Sequence, residues 1–193
     1  MNALSHHHPR ARRRRLIGSL ACAVAGAAVL AATLSAALSL AAPPPASQTA
    51  APKWLTWNAG THTASLTLIA DYTSAISGYN FDGAGKGKMT VTVPVGAHVN
   101  VTFSNRSAAL THGFVVTSYA KRTSTGPFPP AFKGASSTNP TNGTTKGKTE
   151  HHSFVAGKVG KYALLCAVPG HVATGMWDVF QVVKSGAAKI SFK

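Results

Sequence analysis

Cys166-Ala-Val-Pro-Gly-His171-Val-Ala-Thr-Gly-Met176-Trp177, close to the end of the chain, decides how the rest is read. A thiol, an imidazole and a thioether recur in it at five-residue steps, separated by small or apolar residues. Steps of five do not gather side chains on one helical face, and Pro169, Gly170 and Gly175 argue for a folded loop held by strands at either end. Such a loop can wrap three side chains around one ion. Cys, His and Met together suit copper that changes oxidation state, most simply with two imidazoles and a thiolate in a plane and a weak axial thioether. That set needs a second His. The candidate is His112, in Leu110-Thr111-His112-Gly113-Phe114-Val115-Val116, at the mouth of an apolar strand. The candidate metal ligands are therefore His112, Cys166, His171 and Met176.

The flanking chain reads as many short strands. Ser65–Ile69 combines alternation with β-branched residues, and Lys88–Val93 alternates with Met89, Val91 and Val93 on one face. His98–Ser104 sets Val99, Val101 and Phe103 on one face. Leu110–Thr117, Lys161–Cys166, Met176–Val183 and Ala188–Phe192 follow. Asp71–Gly78 suits a turn or short helix. With turn residues between strands and no long helical pattern, the fold class is all-β, a β-sandwich. Tyr119–Glu150 is longer than the roughly 12–15 residues usual for a structureless loop. Its apolar island Pro127-Phe128-Pro129-Pro130-Ala131-Phe132 implies that part of it packs down, either over an edge of the metal site or as an ordered decoration.

Four regions divide the 193 residues: a basic tail 1–15, an apolar segment 16–42, a Pro/Ala-rich linker 43–53 and a folded domain 54–193. Leu16–Ala42 carries no charge and, at about 1.5 Å per residue, could reach roughly 40 Å as a helix, more than a bilayer core of about 30 Å. The Arg cluster before it predicts a cytoplasmic N-terminus and a domain outside the cell membrane. An uncleaved single-pass anchor is one reading. A cleaved signal of twin-arginine type, built on Arg13-Arg14-Arg15-Leu16-Ile17, is the other, and would leave the domain secreted or periplasmic. Cys22 in this run reads as a small apolar filler.

Lys and Arg number 19 against 4 acidic residues, a formal charge of +15. Nucleic acid is not expected as a partner of an exported domain without a recognition helix. The surplus suits a solvated lysine surface, an acidic redox partner, anionic lipid headgroups or an acidic habitat. Cys166 is the single cysteine of the exported part, so no disulfide framework is expected and metal ligation is the better reading of the thiol. Gly143-Thr-Thr-Lys-Gly-Lys-Thr149 is one residue short of a phosphate loop and runs into a strand, as Gly83–Lys88 does; both read as turns. His151-His152 reads as a surface pair and His6–His8 as cytoplasmic tail. Asp82 and Asp178 are too isolated to suggest acid–base catalysis.

Tyr162-Ala-Leu-Leu-Cys166 through Met176-Trp177 resembles the copper loop of the cupredoxins with four-residue spacers, the sulfocyanins and rusticyanins. Gly78-Tyr79-Asn80-Phe81-Asp82-Gly83, Met89–Gly96, Ala131-Phe132-Lys133-Gly134-Ala135 and Asn139-Pro140-Thr141-Asn142-Gly143 resemble sulfocyanin more than rusticyanin, over roughly Ser65–Val183. The resemblance implies a cupredoxin-like Greek-key sandwich holding one type 1 copper ion. It implies a respiratory electron carrier rather than an enzyme. Its partners would be redox donor and acceptor proteins, including a terminal oxidase, and the membrane through the N-terminal helix, with no small-molecule substrate. The more exposed edge of His171 would be the electron port, with Val168, Pro169 and Val172 as apolar shell. Gly113 departs from the hydrogen-bonding Asn or Ser that often follows the first His. The competing function is an exported copper-delivery module using the same ligands.

Overall fold

The computed structural model describes residues 53–193; the basic tail, the apolar segment with Cys22, and residues 43–52 of the linker lie outside the described residues. Nine strands form two sheets. β1 (Leu55–Asn58), β2 (Thr63–Ala70), β4 (His98–Asn105) and β6 (Thr149–Val155) make a four-stranded sheet in the order β1-β2-β4-β6. β3 (Met89–Pro94), β5 (Val115–Ser118), β7 (Gly160–Leu165), β8 (Trp177–Val183) and β9 (Lys189–Phe192) make a five-stranded sheet in the order β5-β7-β8-β3-β9. Two parallel pairs, β2 with β4 and β3 with β8, sit among antiparallel ones. This is an all-β sandwich. Among the described residues no helix is long and apolar enough to cross a membrane.

Alternation explains the layers. In β2 and β4 the inward set is Ala64, Leu66, Leu68, Val99, Val101 and Phe103, all buried. These meet Val91, Val93, Leu164, Phe180 and Val182 from the other sheet in one core. The five-stranded sheet also buries part of its outer face: Val115, Ala163, Leu165, Ala167 and Val172 form a second cluster, covered by Tyr119, Phe128 and Trp177. The long loop therefore packs down as its apolar island implies, Phe128 on this outer cluster and Phe132 stacked 5.8 Å from Phe154.

Three strand expectations change. β1 lies ahead of the expected first strand, its Leu55 and Trp57 half-buried against the core and Thr56 and Asn58 exposed. β6 is more than twice as long as its strand-like end Ser153-Phe154-Val155, because two of its inward positions, Glu150 and His152, are polar and serve the loop beside them. His152 is accordingly half-buried, packed 5.4 Å from the Phe114 ring, rather than a surface residue like His151. Leu110–Phe114 is not strand; only Val115–Ser118 joins the sheet.

Asp82 and Asp178 are buried and act as backbone ties. Asp82 Oδ1 accepts the Ile69 N–H at 2.7 Å and Asp178 Oδ1 accepts the Met89 N–H at 2.9 Å. The second oxygen of each is buried without a partner. Burial raises Asp82 to about 8, with the nearby Asp178 adding to it, and raises Asp178 to about 7. Both folded values stand above the unfolded value near 3.9. Their contribution to stability is full below that value and is lost as pH rises through about 7 to 8. Thermal unfolding of the copper-free protein should give a higher Tm near pH 4 than near pH 8, with Asp82→Asn flattening the difference. A Tm that rises with pH over this range would contradict the assignment.

Candidate metal centre

Three adjacent strands bring the candidate donors together. β7 ends at Leu165, so Cys166 leaves the sheet at its edge, and β8 begins at Trp177, so Met176 precedes its first residue. Leu165 pairs with Trp177, and the Cys166 N–H donates to the Met176 carbonyl at 3.1 Å, closing the loop at its base. The intervening residues make one helical turn, α1 (His171–Thr174), where sequence alone suggests an irregular loop. Gly170 (φ 85°) and Gly175 (φ 110°) turn the chain in and out of it in the left-handed region, where L side chains are strained. His171 N–H donates to Val168 O at 3.1 Å, and Met176 N–H to His171 O at 3.0 Å. The turn thus holds His171 over the loop's own base.

His112 arrives from β5, the other neighbour of β7: Val115 pairs with Leu165, and His112 lies three residues earlier. His112 Nδ1 stands 3.1 Å from Met176 Sδ and 4.0 Å from Cys166 Sγ, which is 3.3 Å from His171 Nδ1. The donor atoms of His112, Cys166 and His171 lie within 4.8 Å of one another. Atoms sharing one ion at typical metal–N and metal–S lengths of about 2.0–2.3 Å stand roughly 3–4 Å apart. The separations of 3.1, 3.3 and 4.0 Å lie in that range, so the donors are placed to share one ion. All four residues are buried, His171 at 7% exposure and the other three at 0%.

Burial also sets their protonation. It lowers His112 to about 4, helped by the neighbouring His171 imidazole, and lowers His171, so both rings stay neutral and free to donate a lone pair. It raises the Cys166 thiol to about 11, against hydrogen bonds from the Gly113 and Val168 N–H groups. A buried thiolate therefore needs a cation beside it, which is what a coordinated metal supplies. Gly113 N–H reaches Cys166 Sγ at 3.4 Å. A Cβ at Gly113 would come within 2.7 Å of the Pro140 carbonyl, so the absent side chain is what lets the long loop close on the centre.

The pin that Gly113 cannot provide comes from residues the sequence did not single out. Buried Asn105 donates Nδ2 to the Leu110 and Thr144 carbonyls, at 2.8 and 2.7 Å, and accepts the Ser107 N–H at 2.8 Å. His112 and Thr144 exchange backbone hydrogen bonds, N–H to O at 3.2 Å and 2.7 Å. Thr144 donates its hydroxyl to Glu150, which also binds the Thr138 N–H at 2.9 Å and His152 Nε2 at 2.7 Å. Burial alone would raise Glu150, but these hydrogen bonds bring it down to about 2. Of the two expectations for the long loop, packing over an edge of the metal site matches these contacts better than an ordered decoration. The loop is the splint that fixes His112.

The sulfocyanin (SoxE) domain model matches residues 50–191. The chain belongs to the sulfocyanin family. Sulfocyanin of Sulfolobus acidocaldarius is 28% identical over 130 residues, 64% of this chain and 65% of that protein's length. Solved structures with a similar course include dithionite-reduced auracyanin from Roseiflexus castenholzii (27% identity, 62% of this chain and 96% of that one, TM-score 0.45). Rusticyanin from Thiobacillus ferrooxidans is another (22% identity, 67% and 88%, TM-score 0.45). Family and donor set agree on one type 1 copper as cofactor.

Asn105→Ala should destabilise the copper-free protein by about 3 kcal/mol, since it leaves buried carbonyls without donors. It should also weaken copper retention by freeing His112. Chemical denaturation with parallel copper titration measures both, and an unchanged midpoint would remove Asn105 from this role.

Proposed function

We propose that the protein carries single electrons between protein partners, with copper held by His112, Cys166, His171 and Met176, tethered at the outer face of the membrane and working in a respiratory chain. The observation that carries the reading is the preformed, buried donor set. Copper bound there would supply a one-electron couple, and the Met176 thioether would be a weak donor favouring the reduced state. The chain's contribution is to keep the donors where they are. Cys166 is fixed by β7 and the Met176 carbonyl, His171 by its helical turn, and His112 by the Asn105–Thr144–Glu150 network. With little rearrangement between oxidation states, the barrier to electron exchange stays low. Around a bound copper ion the apolar sandwich would disfavour the additional positive charge of the oxidised state and so would raise the potential.

The membrane and respiratory parts of the proposal are supported by the uncharged run Leu16–Ala42 behind an arginine cluster and by the likeness to a sulfocyanin. Protease added to the outside of intact cells should release the copper domain, whereas full protection would place it inside.

Copper titration should give one equivalent bound with an intense thiolate-to-copper visible band, bleached by dithionite and restored by ferricyanide. Cys166→Ser should abolish the band. Copper binding without the band, or a band that survives Cys166→Ser, would replace the carrier reading with copper storage or delivery.

A further inference from the structure

The ligand loop does not close the centre by itself. Pro169 and Gly170 are exposed and Val168 is half-buried, yet His171 and His112 are almost wholly out of solvent. The missing cover comes from residues 71–88, between β2 and β3. The Tyr79 ring meets His171 edge-on, with centroids 4.8 Å apart at 88°, and His112 at 6.2 Å and 84°. The two imidazoles lie 4.9 Å apart, so one ring spans both. Tyr79 itself is half-buried, touching both imidazoles while keeping part of its surface in solvent.

The segment carrying Tyr79 is tied down on both sides. Asn80 donates Nδ2 to the Thr73 and Ala75 carbonyls, each at 2.8 Å, and its Oδ1 accepts the Tyr72 and Gly83 N–H groups at 3.2 and 3.0 Å. Phe81 bridges to Ala70 and to Ala84. Further on, Lys86 N–H donates to Gly175 O at 2.8 Å and Gly87 N–H to Trp177 O at 2.9 Å, seaming the segment to the residues on either side of Met176. Gly85 has no room for a Cβ, which would lie 2.8 Å from that same Gly175 carbonyl. Ile76 and Ser77 hold positive φ of 52° and 53°, unfavourable for these side chains and maintained only where the surroundings over-determine the backbone.

We propose that Tyr79 is the cover of the centre: its ring excludes water from both imidazoles and thereby holds the reduction potential high. It is a positioning and shielding residue, without a bond to the metal. Removing the ring admits water, which stabilises the more highly charged oxidised state. The electrochemical consequence rests on the copper reading; the exclusion of water from His171 does not.

Two measurements on the full chain keep these apart. In the copper-free protein, acylation of His171 by diethyl pyrocarbonate, followed by peptide mass spectrometry, should be several-fold faster in Tyr79→Ala than in wild type. The exposed His98 and His151 should be unchanged. In the copper-loaded protein the same variant should raise the Cu(II)/Cu(I) ratio at fixed solution potential about tenfold, a fall of about 59 mV for one electron. Tyr79→Phe, which keeps the ring, should match wild type in both. Tyr79→Leu should show both shifts at smaller size, and it carries the test if the alanine variant does not fold. Unchanged His171 labelling, an unchanged potential with the blue band intact, or a phenylalanine variant as altered as alanine would each overturn the proposal.

Discussion

Holding a thiol, two imidazoles and a thioether within reach of one point inside an apolar sandwich is the constraint on which the rest of this structure depends. Burial works against the ionised thiolate and keeps both imidazoles neutral. The site is thus set up for neutral nitrogen and sulfur donors plus one thiolate that a metal must stabilise. Neighbouring strands solve the geometric half of the problem. β7 sits between β5 and β8, and donors issue from the same end of all three. The sheet delivers Cys166 and Met176 to opposite sides of one loop base, and His112 follows from the pairing of Val115 with Leu165.

Strand pairing alone does not fix side chains that begin where the strands end. Two excursions do that. The long loop after β5 returns to His112 through Thr144 and is held by Glu150, a carboxylate that stays ionised down to about pH 2. The excursion between β2 and β3 lies on the other histidine through Tyr79 and is stitched to Gly175 and Trp177. Glu150 loses its stabilising charge only as pH falls through about 2, while Asp82 and Asp178 favour the fold when protonated. The two aspartates therefore favour the folded domain at mildly acidic pH over alkaline pH, while Glu150 supports it at both.

Much of this was legible in the residues, and the gaps have physical causes. The ligands were readable because Cys, His and Met at fixed steps among glycines have few other uses, and the strands because Val99, Val101 and Phe103 alternate so plainly. β6 was half hidden because its inward Glu150 and His152 are polar, so hydrophobic alternation fails just where the strand serves the metal centre. The expected strand Leu110–Thr117 forms only from Val115 onward, because Asn105 captures the Leu110 carbonyl nearby and Gly113 is pressed under Pro140 from the distant loop. Asn105 and Tyr79 carry no spacing signal. Their roles come from contacts with residues 39 and 92 positions away, Thr144 and His171. The apolar shell expected from Val168, Pro169 and Val172 needed the same correction, since Pro169 is exposed and an aromatic ring from elsewhere closes the gap.

The chain holds the four donors in place before any metal arrives. Nuclear magnetic resonance of the copper-free and Cu(I)-loaded protein tests this most directly, through the imidazole tautomers and backbone shifts of the loop from Cys166 to Met176. In both forms His112 and His171 should carry their proton on Nε2, and backbone shifts beyond the four ligands and their neighbours should barely change. A copper-free loop with averaged shifts, or imidazoles that change tautomer on loading, would contradict this placement.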